Sequence, residues 1–540
     1  MHYKSKRQLR KEAKIESWAN IDSAVFKKAG VSKKRAAGFE LSLQGDVVWP
    51  WDQPDYDTDR QQFDPAFDEK PRVLAYCLTL DDIGSCLKFA YDQKWKVTCR
   101  SGGHSTAGYS VITGTLTIDM SFFSYVCVDD ANQLAVVGSG TDFGILDARL
   151  AYYDLHVPGG ECPDVCVGGY AQGGGYGFTA RQYGMNCDNI VAASVMILDE
   201  NAEPRHVIAN ASQNQTLLWA LKGGTGNNFG VLVDVTYKLH KVGLMWGFTL
   251  KWTDPAEMVQ ALLMIQNKYA KGAPPELGFQ GVLMLQKGDK GPSFQLCGIY
   301  NGPAAKGAAL IAPLMQIGKP ELATYSDNFR HLNDKILPQP NAPASVTSFP
   351  PEIKESRYIA SPVDQQGWEK IVDYYNQSPQ WNVTNAVFFE YYGGEINRIS
   401  PNDSAFIHRD AYLNIYVDSF WYDKTNNSQK TDAENWLNGY MKLLDTYSNG
   451  QQYQNYPRRN TPNYRTAFWG DQFLNLLACK QKYDPLGMLD FPMGVTPPVN
   501  QNDLVYQDSK RTAQAARFAK GRIVYDKLYE NQKKRRSQIK

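Results

Sequence analysis

Six glycines fall within the ten residues Gly168-Gly169-Tyr170-Ala171-Gln172-Gly173-Gly174-Gly175-Tyr176-Gly177. A tract this dense opposes long helix and long strand alike, because each glycine loses conformational entropy on ordering and offers no side chain to pack. It allows two things: tight turns in a loop-rich region, or close approach of the backbone to a flat ligand. Two further glycine segments raise the same question. Arg100-Ser101-Gly102-Gly103-His104-Ser105 follows the strand-like Lys96-Val97-Thr98-Cys99, so its successive N–H groups can cradle an anion such as pyrophosphate, or simply close a loop. Gly223-Gly224-Thr225-Gly226-Asn227-Asn228-Phe229-Gly230 approaches the dinucleotide fingerprint, but a β-branched run from Val231 to Leu239 follows it. That fingerprint needs a helix N-terminus at the pyrophosphate, so a Rossmann-type nicotinamide site is disfavoured, and no Walker A sequence occurs.

The chain around these segments has 540 residues, 43% hydrophobic, and a net charge of +1. The length calls for two domains or one large elaborated one, and the charge balance argues against a nucleic-acid binder. No apolar run long enough for a transmembrane helix is present, and Met1–Arg7 leads into more charge without an apolar signal segment, which predicts a cytoplasmic chain. The nine cysteines form no metal-ligand pattern and are expected to be reduced thiols.

Periodicity places strands at 73–76, 96–99, 116–119, 134–137, 191–198 and 230–239, and helices at 81–91 and 142–155. Beyond His240 the pattern changes. Leu277–Leu285 and Phe294–Tyr300 flank the turn sequence Lys287-Gly288-Asp289-Lys290-Gly291-Pro292 and read as a hairpin. Val387–Tyr392 and Tyr412–Phe420 are aromatic-rich strands, with helices at 308–317, 368–375 and 436–447. Alternation along 412–420 predicts Tyr412, Asn414, Tyr416 and Asp418 on one face and Leu413, Ile415 and Val417 on the other. The fold class is α+β, with an antiparallel sheet carrying helices on one face. Residues 1–39 show one weak helical stretch and read as an extension, and the basic run Lys533-Lys534-Arg535-Arg536 reads as a solvated end.

Taken in order, Arg100–Ser105, Gly159-Gly160-Glu161-Cys162-Pro163, the Gly168–Gly177 tract, Leu217–Gly224, Phe406-Ile407-His408-Arg409, Asn455-Tyr456-Pro457 and Tyr483-Asp484-Pro485 resemble the berberine bridge enzyme-like family. These are flavoproteins of the vanillyl-alcohol oxidase/PCMH superfamily. The resemblance implies a PCMH-type FAD-binding domain, 40–240 plus 460–540, split around a substrate domain, 241–459. It implies FAD, surrounded by Arg100, Ser101, Gly102, Gly103, Ser105, Val165, Gly168, Gly169, Tyr170, Gly173 and Gly174, and bonded covalently to His104 and Cys162. Imidazole and thiolate are suitable nucleophiles for an electrophilic flavin. Two residues depart from the family pattern: Tyr170 stands where a histidine is usual, and Cys166, a second candidate thiol, where glycine is usual. Val165 matches a gate position at which a small side chain admits O2.

The resemblance also implies a small-molecule substrate, with hydride passing to the flavin and O2 reoxidising it to hydrogen peroxide. Tyr456 matches the family's proton-accepting tyrosine. A phenol with an ordinary pKa near 10 is a poor base, so it needs a partner, and Glu390 matches a strand position where sugar oxidases place a carboxylate. Tyr416 matches a position where alkaloid-processing relatives carry a glutamate or glutamine. His408 and Arg409 are expected to be structural. A sugar or oligosaccharide substrate, an alkaloid, phenolic or other secondary metabolite, and a dehydrogenase using another electron acceptor all remain open.

Overall fold

Short apolar strands flanked by helix signals build the first sheet. In the computed structural model, which describes residues 5–341, 349–379, 381, 382 and 384–497, Val73–Tyr76, Leu116–Asp119 and Val97–Arg100 pair in parallel, and Val47–Val48 adds an antiparallel edge. The helix Leu80–Gln93 starts at a capping box between Thr79 and Asp82 and lays Ile83, Cys86, Leu87 and Ala90 into the core. The extension expected over residues 1–39 is instead three helices, Lys6–Ser17, Ser23–Ala29 and Lys33–Ser42. Trp18, Phe26, Val31 and Phe39 pack with Trp49 against this sheet. They sit on separate short helices and their turns, so no long period of 3.6 marks them in the sequence.

A second sheet, antiparallel throughout, runs in the order Val126–Asp129, Leu134–Gly138, Val231–Lys238, Ile190–Leu198, Pro204–Asn210. Its core takes in Val137, Val195 and Tyr237 together with Trp469, Phe473 and Leu476 from the C-terminal helices Tyr464–Trp469 and Phe473–Tyr483. The chain after 460 thus packs back onto its first half. The periodicity reading placed no helix over either segment. The basic run at 533–536 lies outside the described residues.

The third sheet has seven antiparallel strands: Glu321–Asp327, Met245–Trp252, Ser293–Tyr300, Leu277–Met284, Ala386–Tyr391, Leu413–Phe420 and Glu352–Ile359, in that spatial order. The expected hairpin forms, with Met284 opposite Ser293. Helices Pro255–Met264, Gln365–Tyr375 and Asn427–Leu444 cover one face through Met258, Leu262, Trp368, Ile371, Trp436 and Leu437. Arg181, fully buried, ties the first half of the chain to this sheet by donating to the carbonyls of Leu277 at 3.0 Å and Ala270 at 2.8 Å. Among the described residues no helix is long and apolar enough to cross a membrane.

Candidate active site

A cavity of about 620 Å³ lies between the glycine segments and the uncovered face of the seven-stranded sheet. Alternation at the end of Val97–Arg100 turns Cys99 and Ser101 toward it and Arg100 away. Arg100 pairs with Asp119 at 2.5 Å and donates to the Asp59 carbonyl, so it anchors the turn and does not line the cavity as expected. Ser101, Gly102, Gly103, His104 and Ser105 do line it. Gly103 has φ +78°, a conformation that favours glycine.

His104 is held on two sides. Its ring stacks on Phe63 with centroids 4.2 Å apart, and Nε2 stands 3.2 Å from Asp164 Oδ2. Burial lowers its pKa, against the opposing pull of the Asp164 carboxylate. Cys162 opens onto the cavity from the loop after Gly160, yet sits deep enough that burial, reinforced by Glu161, pushes its thiol up to about 12. The Cys166 thiol, by contrast, is buried and donates to the Gly140 carbonyl at 3.4 Å.

The glycine tract forms a short helix, Val167–Gln172, followed by turns. A methyl group at Gly168 would overlap Ser101 Oγ and come within 2.8 Å of the Ser139 carbonyl, whereas one at Gly169 would meet nothing within 4 Å. Gly169 therefore leaves backbone open to a ligand. Gly173 and Gly174, expected at the cofactor, do not line the cavity. A methyl at Gly173 would overlap Asn455 Oδ1, and Gly174, at φ +123°, abuts Phe406, so both serve packing. Val165 and Tyr170 are wall residues. The Tyr170 hydroxyl donates to the Tyr176 carbonyl, which turns it away from the cavity.

Three neighbouring strands supply the opposite wall. Register sets Glu390 against Asn414, Phe388 against Tyr416 and Lys354 against Asp418, while Leu413, Ile415 and Val417 face the helices. Tyr412 departs from the predicted face. It lies before the strand begins, packs among the helices and donates to Gln266 Oε1 at 2.8 Å. Tyr456 donates to Glu390 Oε1 at 2.6 Å, and Asn414 Nδ2 donates to Glu390 Oε2 at 2.8 Å. Burial pushes Glu390 up to about 8 despite both bonds, and burial with the adjacent carboxylate raises Tyr456 well above its ordinary value. Tyr416 stacks on Phe388 at 4.4 Å and meets the Tyr456 ring at 4.4 Å.

Sequence reasoning missed Lys354. Its ammonium is 3.3 Å from Asp418 Oδ1 and lies 5.2 Å from the Tyr456 ring and 5.4 Å from that of Tyr416. Burial works against this charge, but Asp418 and Glu352 outweigh it and raise the lysine's pKa. The signal was alternation in Glu352-Ile353-Lys354-Glu355-Ser356, obscured because polar residues fall on both faces of the strand. His408 lies 2.9 Å from both Gln451 and Gln454, and Arg409 grips Asp188 at 2.7 and 2.8 Å, as structural pairs do.

These residues fit FAD. The cavity volume falls in the range of cofactor sites, roughly 300–1,000 Å³, backbone is bare at Gly169, and a histidine and a thiol face the same space. The signature described as FAD binding domain matches residues 71–203, and that described as Berberine and berberine like matches residues 452–496. A FAD-linked oxidoreductase of Bacillus subtilis, YvdP, is 28% identical over 465 residues, covering 84% of this chain and 98% of its own. The carbohydrate oxidase of Microdochium nivale is 26% identical over 518 residues, covering 89% and 97%. The structure of Physcomitrella patens BBE-like 1 superposes with a TM-score of 0.75 at 24% identity, covering 86% of this chain and 99% of that one. With both signatures in place around a flavin-sized cavity, the chain is an FAD-linked oxidoreductase that resembles the berberine bridge enzyme-like proteins.

Proposed function

We propose that this protein is an oxidase with FAD attached to both His104 and Cys162, which oxidises a hydroxyl group of a sugar or oligosaccharide. The observation that carries the reading is the 2.6 Å hydrogen bond from Tyr456 to Glu390 in the same cavity as His104 and Cys162. In this reading residues 40–240 and 460–540 form the flavin unit and 241–459 the substrate unit. Held by these residues, FAD would supply a hydride acceptor at N5 and a route for the electrons to O2, giving hydrogen peroxide.

The protein's own part is to move one proton and exclude water. In the ionised form of Glu390, which gains population as pH rises toward 8, the substrate hydroxyl gives its proton to the Tyr456 oxygen while the Tyr456 proton crosses to Glu390 Oε1, so phenolate never has to persist. Asn414 fixes the carboxylate that receives it. Tyr416 and Phe388 form an apolar floor under the substrate, and Val165 is the gate for O2. The carboxylate–tyrosine pair and the similarity to a carbohydrate oxidase favour a sugar. A second reading, an aromatic secondary metabolite, draws on the Phe388–Tyr416 stack and on Phe63, Phe349 and Phe420 along the same cavity.

Peroxide release across a panel of sugars, benzylic alcohols and alkaloids tests the reading. Sugars should give peroxide, and dye reduction without peroxide would overturn the oxidase assignment. In parallel, acid-precipitated protein should stay yellow, losing its colour only when His104→Ala is combined with Cys162→Ala. Flavin left in the supernatant of the unaltered protein would sink the covalent attachment.

A further inference from the structure

Asp164 lies two residues beyond Cys162, in a loop fixed by its backbone. The Pro163 carbonyl accepts from Gly144 N at 2.7 Å, the Val165 carbonyl from Phe143 N at 3.0 Å, and the Glu161 carbonyl from Asn333 Nδ2 at 2.9 Å. From this anchored loop the Asp164 carboxylate reaches His104 Nε2 at 3.2 Å, while Phe63 fixes the plane of the ring. A neutral imidazole carries hydrogen on one nitrogen and a lone pair on the other, and a carboxylate beside Nε2 selects the form with hydrogen there. The lone pair is then on Nδ1.

Resting on the reading that His104 is an attachment point, we propose that Asp164 is a positioning residue for that attachment, presenting Nδ1 as the nucleophile to the flavin 8α carbon. In the step, the Nδ1–C bond forms and one C–H bond of the 8α-methyl breaks, its hydrogen leaving as a proton. The ring gains positive charge, which Asp164 stabilises, and it becomes neutral again when the Nε2 proton leaves. The two electrons released pass to O2, which takes up two protons and becomes hydrogen peroxide. One loop thus carries both the second tether, Cys162, and the residue that prepares the first.

The test uses the full chain with Cys162→Ala, so that His104 is the single tether, produced under riboflavin limitation and incubated with FAD in air. Acid-precipitable flavin is followed over time. Asp164 is 67% exposed, so water weakens the pair, and Asp164→Asn should slow incorporation about fivefold, the scale of an exposed ion pair. Asp164→Glu should restore much of the rate. Because Asp164 raises the pKa of His104, its removal should also move the acid limb of incorporation to lower pH, which a loop held only for packing would not do. An unchanged rate and pH limb in Asp164→Asn overturn the inference and leave the attachment reading standing. No acid-precipitable flavin in the protein with both Cys162 and Asp164 intact overturns both.

Discussion

The cavity wall that carries His104 and Cys162 is made of turns and a one-helix glycine tract, whereas the wall that carries Glu390 and Tyr416 is made of side chains from three adjacent strands. On the first, geometry is set by backbone and by missing side chains: Gly168 lies against Ser101 and Ser139, and Gly169 opens to the cavity. On the second, geometry is set by register, since a slip of one residue would turn Glu390, Tyr416 and Asp418 into the helices. The turn wall is therefore sensitive to added volume and the sheet wall to changed charge.

The largest expected effect is on the sheet wall. Tyr456→Phe should lower the rate of anaerobic flavin reduction by whichever panel substrate gives peroxide, by about 10²–10⁴-fold, with flavin content unchanged. A rate within a few-fold of the unaltered protein would remove Tyr456 as the proton acceptor. On the turn wall, Gly168→Ala should cost about 1–3 kcal/mol through overpacking, read by denaturant unfolding. Gly169→Ala should leave stability close to that of the unaltered protein and lower flavin incorporation instead. Equal behaviour of the two variants would break the distinction between a packing glycine and a ligand-facing one.

The smallest effect concerns pH. A carboxyl whose folded pKa is about 8 binds its proton more tightly folded than unfolded. Its stabilising contribution is full below the ordinary carboxyl value and is lost as pH rises through 8. Glu390→Gln, which cannot ionise, should therefore unfold at a higher temperature than the unaltered protein at pH 8–9 and lose that advantage near pH 5. An advantage that does not change with pH would mean that Glu390 does not titrate in this window.

The same contrast explains what could be read from the chain. Residues of the turn wall lie in short contiguous motifs, so His104, Cys162 and the Gly168–Gly169 pair were all placed on the cavity from sequence. Arg100, Gly173 and Gly174 share those motifs but face elsewhere, because adjacency does not say which way a turn points a residue. On the sheet wall, Glu390, Tyr416 and Tyr456 were named from the resemblance, but Lys354 was not. Its strand alternates charged and polar residues on both faces, so no hydrophobic period revealed it. The N-terminal helices escaped for a similar reason: their buried aromatics are shared out among elements too short to show a period.

The sequence alone carried the resemblance to berberine bridge enzyme-like flavoproteins, the FAD-binding domain, and the α+β character with an antiparallel sheet under helices, because motif order, glycine density and apolar alternation are local properties of the chain. Only tertiary structure decided that Cys162 is exposed on the cavity while Cys166 is buried in its wall, that the Tyr170 hydroxyl is bonded to the Tyr176 carbonyl, that Tyr456 reaches Glu390 across 66 residues of chain, and that Lys354 sits between two tyrosine rings and an aspartate. Those distances follow from strand register and from packing between segments remote in sequence, and neither leaves a local signature in the order of the amino acids.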